Sequence, residues 1–288
     1  MKYLIGVDLG GTNIKTGLVS SDGRIIKKYE AKTEAKKGTK KVISNIIKAI
    51  NEVKSEKVFG IGIGSPGPFD YKTGIITKPG NLPFRNVPLK KIIQSKFKIK
   101  TFLDNDANCF ALAEAVFGQG KKYENVAGIT LGTGIGGGIV LNKKIYHGRS
   151  NAAELGHMTI NYDGPKSTCG NDGCIETYAA ARGITSIFDK KADPYSIYKL
   201  ALKGNKKAIK TYEKIGGYLG IGLTNIIYAL DPDIIVIGGK ISNAWRFFNK
   251  SMDKTIKERY FVRPCPVVKS KLNEAGILGA AALFFDNK

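Results

Sequence analysis

Three groups of residues in this chain have types and spacings that could do chemistry. The first is Asp104-Asn105-Asp106, which follows the apolar Phe102-Leu103 and precedes an Ala- and Leu-rich stretch ending at Gly118. A carboxylate between a strand and a helix stands where α/β proteins build ligand sites. It can take a proton from a bound hydroxyl, or it can simply cap the helix. The second group is a pair of glycine-rich turns, Asp8-Leu9-Gly10-Gly11-Thr12-Asn13 and Leu131-Gly132-Thr133-Gly134. Glycines let successive backbone N–H groups cradle an anion such as phosphate, although Gly-Gly is also an ordinary hairpin turn. Asp8 could hold Mg²⁺, usually through water. The third group runs from Asn151 to Glu176, with Glu154 and His157 followed by Cys169, Cys174 and Glu176. One His with closely spaced Cys is a zinc vocabulary, or a coincidence of composition.

The elements that must position these groups read from periodicity. Tyr3 to Val7, Ile14 to Ser20 and Ile25 to Tyr29 predict a β-meander that opens with the first glycine turn. Val42, Ile43, Ile46, Ile47, Ile50 and Val53 predict an amphipathic helix, and Val58 to Ile63 a strand broken by Gly64-Ser65-Pro66-Gly67-Pro68. The chain then begins again. Val126 to Thr130, a turn, and Gly138 to Leu141 repeat the opening, with Leu131-Gly132 matching Leu9-Gly10. Such self-similarity predicts two lobes of like topology with a cleft between them. Helices are expected around Lys207 to Leu230, Ala244 to Arg259 and Glu274 to Phe285, with an apolar strand at Ile234 to Ile237.

Several function classes drop out. GTGIGGG contains a formal G-x-G-x-x-G at Gly132, Gly134 and Gly137, but a strand and not a helix follows it, which argues against a dinucleotide site. No P-loop sequence exists. The uncharged run from Ile215 to Leu230 is shorter than the ~20 apolar residues of a membrane span, and Met1-Lys2 leads straight into a strand. A cytoplasmic protein without a membrane partner is expected. Four Cys in 288 residues do not make a disulfide scaffold. The net charge of +22 could mark a polyanion partner. The lysines are scattered, however, with no basic stripe interleaved with aromatics, so no nucleic-acid partner is expected.

With these motifs in hand, the chain resembles the ROK sugar kinases almost end to end. The family's two phosphate motifs match Asp8 to Thr12 and Leu131 to Gly134, and its catalytic turn matches Asn105-Asp106. Its E-x-G-H and G-C-x-E motifs match Glu154-Leu155-Gly156-His157 and Gly173-Cys174-Ile175-Glu176. The resemblance implies an α/β, actin-like (ribonuclease H-like) ATPase fold of two lobes. The smaller would span 1–117, joined by the C-terminal helix 274–288, and the larger 118–273. It implies Asp106 as the catalytic base, with Gly64, Ser65, Asn81, Asn105, Glu154, His157 and Glu176 on the sugar. It also implies Gly10, Gly11, Thr12, Asn13, Lys15, Gly132, Thr133 and Gly134 on the phosphates of Mg-ATP, and Gly238, Gly239 and Gly276 near the adenosine.

Pro79 to Leu82 and Arg85 to Leu89 look like the glucokinase branch, which implies transfer to the 6-hydroxyl of glucose. N-acetylmannosamine or N-acetylglucosamine is the alternative acceptor, and polyphosphate the alternative donor. Repressors of the family carry a helix-turn-helix ahead of the first motif, and only residues 1–7 precede Asp8 here. A homodimer or homotetramer is expected by analogy. One departure stands out. Ser167 replaces the first of the family's three zinc cysteines, which leaves either a three-ligand zinc on His157, Cys169 and Cys174 or none.

Overall fold

The computed structural model of the chain describes residues 2–71, 73–261 and 263–286. Residues 287 and 288 of the expected terminal segment lie outside the described residues. The predicted meander forms as β1 (Tyr3–Leu9), β2 (Asn13–Ser20) and β3 (Ile25–Lys32), followed by helix α1 (Thr39–Val53) and β4 (Val58–Ser65). Helix α1 buries Val42, Ile46, Ala49, Ile50 and Val53, the stripe its spacing predicts. A small hairpin, β5 (Phe69–Asp70) with β6 (Ile75–Ile76), and helix α2 (Leu89–Phe97) come next. Strand β7 (Lys100–Asn105) then runs into helix α3 (Asp106–Phe117).

The second meander is β8 (Val126–Leu131), β9 (Ile135–Leu141) and β10 (Lys144–Ile145). Helices α4 (Ile175–Ala179), α5 (Ala181–Phe188), α6 (Pro194–Leu202) and α7 (Lys206–Leu230) lead to β11 (Ile234–Gly238). Helix α8 (Trp245–Arg259), β12 (Val267–Lys269) and α9 (Ala275–Asp286) complete the chain. Among the described residues no helix is long and apolar enough to cross a membrane. Helix α7 instead buries Ile215, Leu219, Leu223 and Ile227 along one stripe.

The sheets have the orders β3-β2-β1-β4-β7 and β10-β9-β8-β11-β12. The repeat read from Leu9-Gly10 and Leu131-Gly132 is therefore a repeat of sheet topology. In each sheet a meander is extended on its first strand by two more strands. In the first sheet β1, β4 and β7 run parallel, in a register that sets Asp8 beside Gly64 and Gly64 beside Asp104.

The chain divides into two compact units, 1–128 with 138–152 and 271–288, and 129–137 with 153–270. The sequence reading drew the line between 1–117 with 274–288 and 118–273. In the first unit α3 packs on α9. Both are apolar on nearly every face and buried through most of their length, which excludes them from the surface.

One expectation changes in form. The polar turn at 104–106 is not a turn. Strand β7 continues through Asn105, which pairs with Ser65, and the helix starts at the next residue. Asn105 serves as N-cap, its Oδ1 accepting from the N–H groups of Ala107 at 2.8 Å and Asn108 at 3.3 Å. Strand β9 likewise begins at Ile135, ahead of the predicted Gly138, because its glycines pair as strand residues.

Candidate active site

In the first unit the sheet register gathers the acidic residues at one end of three parallel strands. Asp8 is the penultimate residue of β1, Asp104 of β7, and Gly64 of the strand between them. Asp104 is buried and accepts the Asn105 N–H at 2.7 Å and Asn108 Nδ2 at 2.9 Å, both on Oδ1. Asp106 is exposed as the first residue of α3, where the helix N-terminus favours negative charge. Asp8 is the perturbed group. Burial first, then the charge of Asp106, pushes its carboxyl up to about 6, with Lys15 pulling the other way. Gly276 stands against it, where a Cβ would come 2.4 Å from Asp8 Oδ2. Gly276 therefore closes on the carboxylate, and this approach is what requires a glycine.

The other predicted residues of this unit fall as follows. Gly64 lies under α3, where a Cβ would be 3.1 Å from Cys109 Sγ and 3.8 Å from Asp106 Cα. Ser65 is fully buried, its hydroxyl donating to Pro66 O at 3.2 Å. Asn81 is exposed and lies close to Gly11. In the first hairpin the Gly10 N–H donates to Asn13 O at 3.0 Å, and Thr12 is exposed. Asn13 Oδ1 takes Lys32 Nζ at 3.1 Å, and Lys15 Nζ pairs with Glu274 at 3.0 Å, so both side chains already have protein partners.

The second unit carries the other motifs. Gly132 N–H donates to Gly134 O at 2.9 Å, and Thr133 is exposed at the turn. Glu176, in the first turn of α4, accepts the Ile135 N–H on Oε2 at 3.0 Å. A Cβ at Gly134 would stand 2.3 Å from that same oxygen, so glycine there leaves room for the carboxylate. Glu154 is exposed, 3.9 Å from His157 Nε2. Gly239 has φ 82 and stands against Leu131 at the end of β8, and Gly238 is buried.

His157, Cys169 and Cys174 present ligand atoms within 4.8 Å of one another. The two sulfurs are 3.5 Å apart, and His157 Nδ1 is buried without a hydrogen-bond partner. A buried orphan nitrogen beside two thiols fits a zinc ion. The Ser167 hydroxyl hydrogen-bonds to the Cys169 thiol and, with the Asn171 backbone, holds it down at about 7.

A cavity of about 560 Å³ also lies in this unit, lined among others by Gly132, Thr133, Tyr195, Tyr198, Lys240 and Asn243. It joins the second glycine turn to the ring-bearing face of α6. Tyr195 and Tyr198 belong to no motif that the sequence singles out. The signal available was Asp193-Pro194, an N-cap with Pro at N1, which marks the helix start.

Comparison with known proteins fits this geometry. The ROK family model matches residues 4–287. The glucokinase of Thermotoga maritima is 37% identical over 305 residues, covering 97% of this chain and 96% of its own length. The ROK hexokinase of Thermus thermophilus has TM-score 0.86 and 31% identity, over 99% of this chain and all of that one. A ROK glucokinase of Streptomyces griseus, in complex with glucose and AMPPNP, has TM-score 0.85 and 29% identity, over 98% of both chains. The shared fold is the α/β, actin-like (ribonuclease H-like) ATPase type expected from the motifs. By motif order, sheet topology and full-length match alike, the chain belongs to the ROK family.

Proposed function

We propose that the protein is an ATP-dependent hexose kinase whose preferred reaction transfers the γ-phosphoryl of ATP to the 6-hydroxyl of glucose. The observation that carries the reading is Asp106. It is exposed on the first residue of α3, next to a strand end, with the second carboxylate of Asp8 close enough to be raised by its charge. The glucokinase relative and the glucose–AMPPNP complex support the same acceptor and donor.

In this reading Asp106 takes the proton of the acceptor hydroxyl as its oxygen bonds to the γ-phosphorus, and the bond to the β-phosphate oxygen breaks to release ADP. Asn105 has its Oδ1 committed to the cap, so its Nδ2 is the atom left to meet a sugar hydroxyl. Asn81, Glu154, His157 and Glu176 supply the remaining sugar contacts, and the two glycine turns present N–H groups to the phosphates. Tyr195 and Tyr198 give the 560 Å³ cavity the apolar, aromatic lining an adenosine needs. Asp8 would hold Mg²⁺ through water. A carboxylate whose ionisation is opposed by burial and by Asp106 fits a cation, which would neutralise phosphate charge. His157, Cys169 and Cys174 would hold zinc, with Ser167 bonding to the thiol and not to the metal.

A coupled assay of ADP release tests the reading with glucose, mannose, N-acetylmannosamine and N-acetylglucosamine as acceptors. Glucose should give the highest kcat/KM, and polyphosphate should not replace ATP. Release no faster with any sugar than without one sinks the proposal.

A further inference from the structure

The chain has two histidines. His157 belongs to the sulfur cluster, and nothing in the reaction above uses His147, just beyond β10. Its Nε2 is 2.7 Å from Asp104 Oδ2. The opposite oxygen of that carboxylate is the one that takes Asn105 N–H and Asn108 Nδ2. Tyr71, between β5 and β6, closes the group. Its hydroxyl bonds to Asp104 and accepts from Asn108 Nδ2 at 3.3 Å, and its ring centroid is 4.2 Å from that of His147. Asp104 is 4% exposed, so no bulk water replaces a lost partner.

We propose that His147 is a positioning residue for phosphoryl transfer. Through Asp104 it fixes the strand-to-helix junction from which Asp106 presents its carboxylate to the acceptor hydroxyl. The proposal rests on the reading of Asp106 as the base.

The argument is one of torsions. Asp104 Oδ1 bonds the N–H of the very next residue, and that peptide carries Asn105, the cap on which α3 begins. A carboxylate plane held at Oδ1 alone can still swing about its own Cα–Cβ and Cβ–Cγ bonds, carrying the junction with it. A second bond at Oδ2, from a ring on another element, removes that freedom. The ring is itself anchored. The His147 carbonyl accepts the N–H groups of Ser150 at 2.9 Å and Ala152 at 3.2 Å, and the nearby Ile145 N–H donates to Asp286 Oδ1 at 2.6 Å. Asp104 faces the imidazole from β7, Tyr71 from the β5–β6 segment and Asp286 from α9, with Lys144 beside Asp286. Burial by itself would lower the imidazole's pKa, but the bond and charge of Asp104, aided by Asp286, raise it on balance. At 2.7 Å the imidazole–carboxylate contact has the short length typical of charge-assisted bonds.

Two variants separate the bond from the packing. His147→Phe keeps a ring against Tyr71 and removes the donor, and His147→Gln returns an N–H at similar reach. The Phe variant should lose roughly ten- to a hundredfold in kcat, while KM for glucose and ATP stays within about twofold. The Gln variant should recover most of the loss. Asp104→Asn, which keeps size and changes the acceptor, should match the Phe variant in kcat and stands in for it if that protein does not fold. Both single changes together should cost no more than either one.

NMR titration of the imidazole adds a readout that needs no turnover. The His147 pKa should lie above the ordinary 6.5 and fall in Asp104→Asn. Wild-type kcat in His147→Phe or in Asp104→Asn, or a loss confined to KM, overturns the positioning role. If Asp106→Asn is inactive while His147→Phe is unchanged, only this inference fails. If Asp106→Asn turns over normally, the base assignment fails and takes the inference with it.

Discussion

Strands β1 and β8 open their sheets alike, each running apolar into Leu-Gly and closing its turn with one short backbone bond, 3.0 Å at Gly10 and 2.9 Å at Gly132. One position earlier they part. The first sheet has Asp8, half-buried and pushed up to about 6, whereas the second has Thr130, whose hydroxyl donates to Gly136 O at 3.5 Å. The outer parallel strands part in the same way. Strand β7 ends in Asp104-Asn105 and hands the chain to Asp106, whereas β12 ends at Lys269 and hands it to Ser270. A repeated scaffold thus offers two glycine turns, with aspartates at the strand ends of only the first; the second instead takes the Glu176 carboxylate from α4 onto the Ile135 N–H. The copy whose strands end without aspartates adds an aromatic cavity. Repetition supplies the frame, and in the proposed reaction the departures from it carry the chemistry.

Asp106 is the place to break this comparison first. Asp106→Asn should lower kcat by about a thousandfold, with glucose Kd by calorimetry changed less than about twofold. The matched change on the other sheet, Thr130→Val, should cost less than about threefold. Equal losses in the two would erase the asymmetry.

Asp8 gives the second test, with opposite signs for activity and stability. A carboxyl raised from 3.8 to about 6 binds its proton more tightly when folded, so ionising it costs stability. That cost is absent below about pH 4, grows between 4 and 6 and is complete above 6, reaching at most roughly 3 kcal/mol. Asp8→Asn removes the ionisation. Its Tm should rise at pH 8 and not at pH 4, while phosphoryl transfer falls by about a hundredfold. A variant destabilised at pH 8 would show that Asp8 is held by partners that favour its charge.

How much of this could be read in advance depended on whether a signal was local. The meanders, α1 and the two glycine turns are short-range patterns, and they formed within a few residues of where periodicity put them. The topological repeat was legible from Leu9-Gly10 and Leu131-Gly132 because each pair closes an apolar strand before a short glycine turn, a local pattern. The junction at Asn105, expected as a polar turn, is a direct strand-to-helix connection. Capping and strand pairing there use the same residue, and no window of single residues distinguishes a zero-length connection from a short turn. Nor could sequence join His147 to Asp104, since that pairing depends on where the chain returns after β10. The tyrosine-lined cavity was invisible for the same reason, although Asp193-Pro194 marks locally where α6 starts.

The second unit supplies a smaller effect. Glu176 holds the Ile135 N–H at the turn that would meet phosphate, and Gly134 leaves space for its carboxylate. Gly134→Ala would push a methyl onto Oε2 and turn the acceptor away. The stranded N–H should cost roughly 1–3 kcal/mol, read as a rise of about tenfold or more in KM for ATP or glucose, with kcat less affected. A fall in kcat alone would move this turn from recognition into the chemical step, and so weaken the division between the two sheets.

The least effect on turnover is expected at Ser167. Its side chain is buried and bonds to the Cys169 thiol, so it already occupies the neighbourhood of a fourth ligand without the sulfur that would make it one. Ser167→Cys changes one atom and restores a thiolate. Zinc affinity, measured by competition with a chromophoric chelator, should rise by at least about tenfold, while kcat with glucose moves less than about twofold. The two readouts separate two roles for the cluster. A tighter metal with unchanged turnover makes the zinc a brace for the His157 loop. A tighter metal with altered kcat would mean that the sulfur cluster reaches the reaction, and the chemistry would no longer belong to the acidic sheet alone.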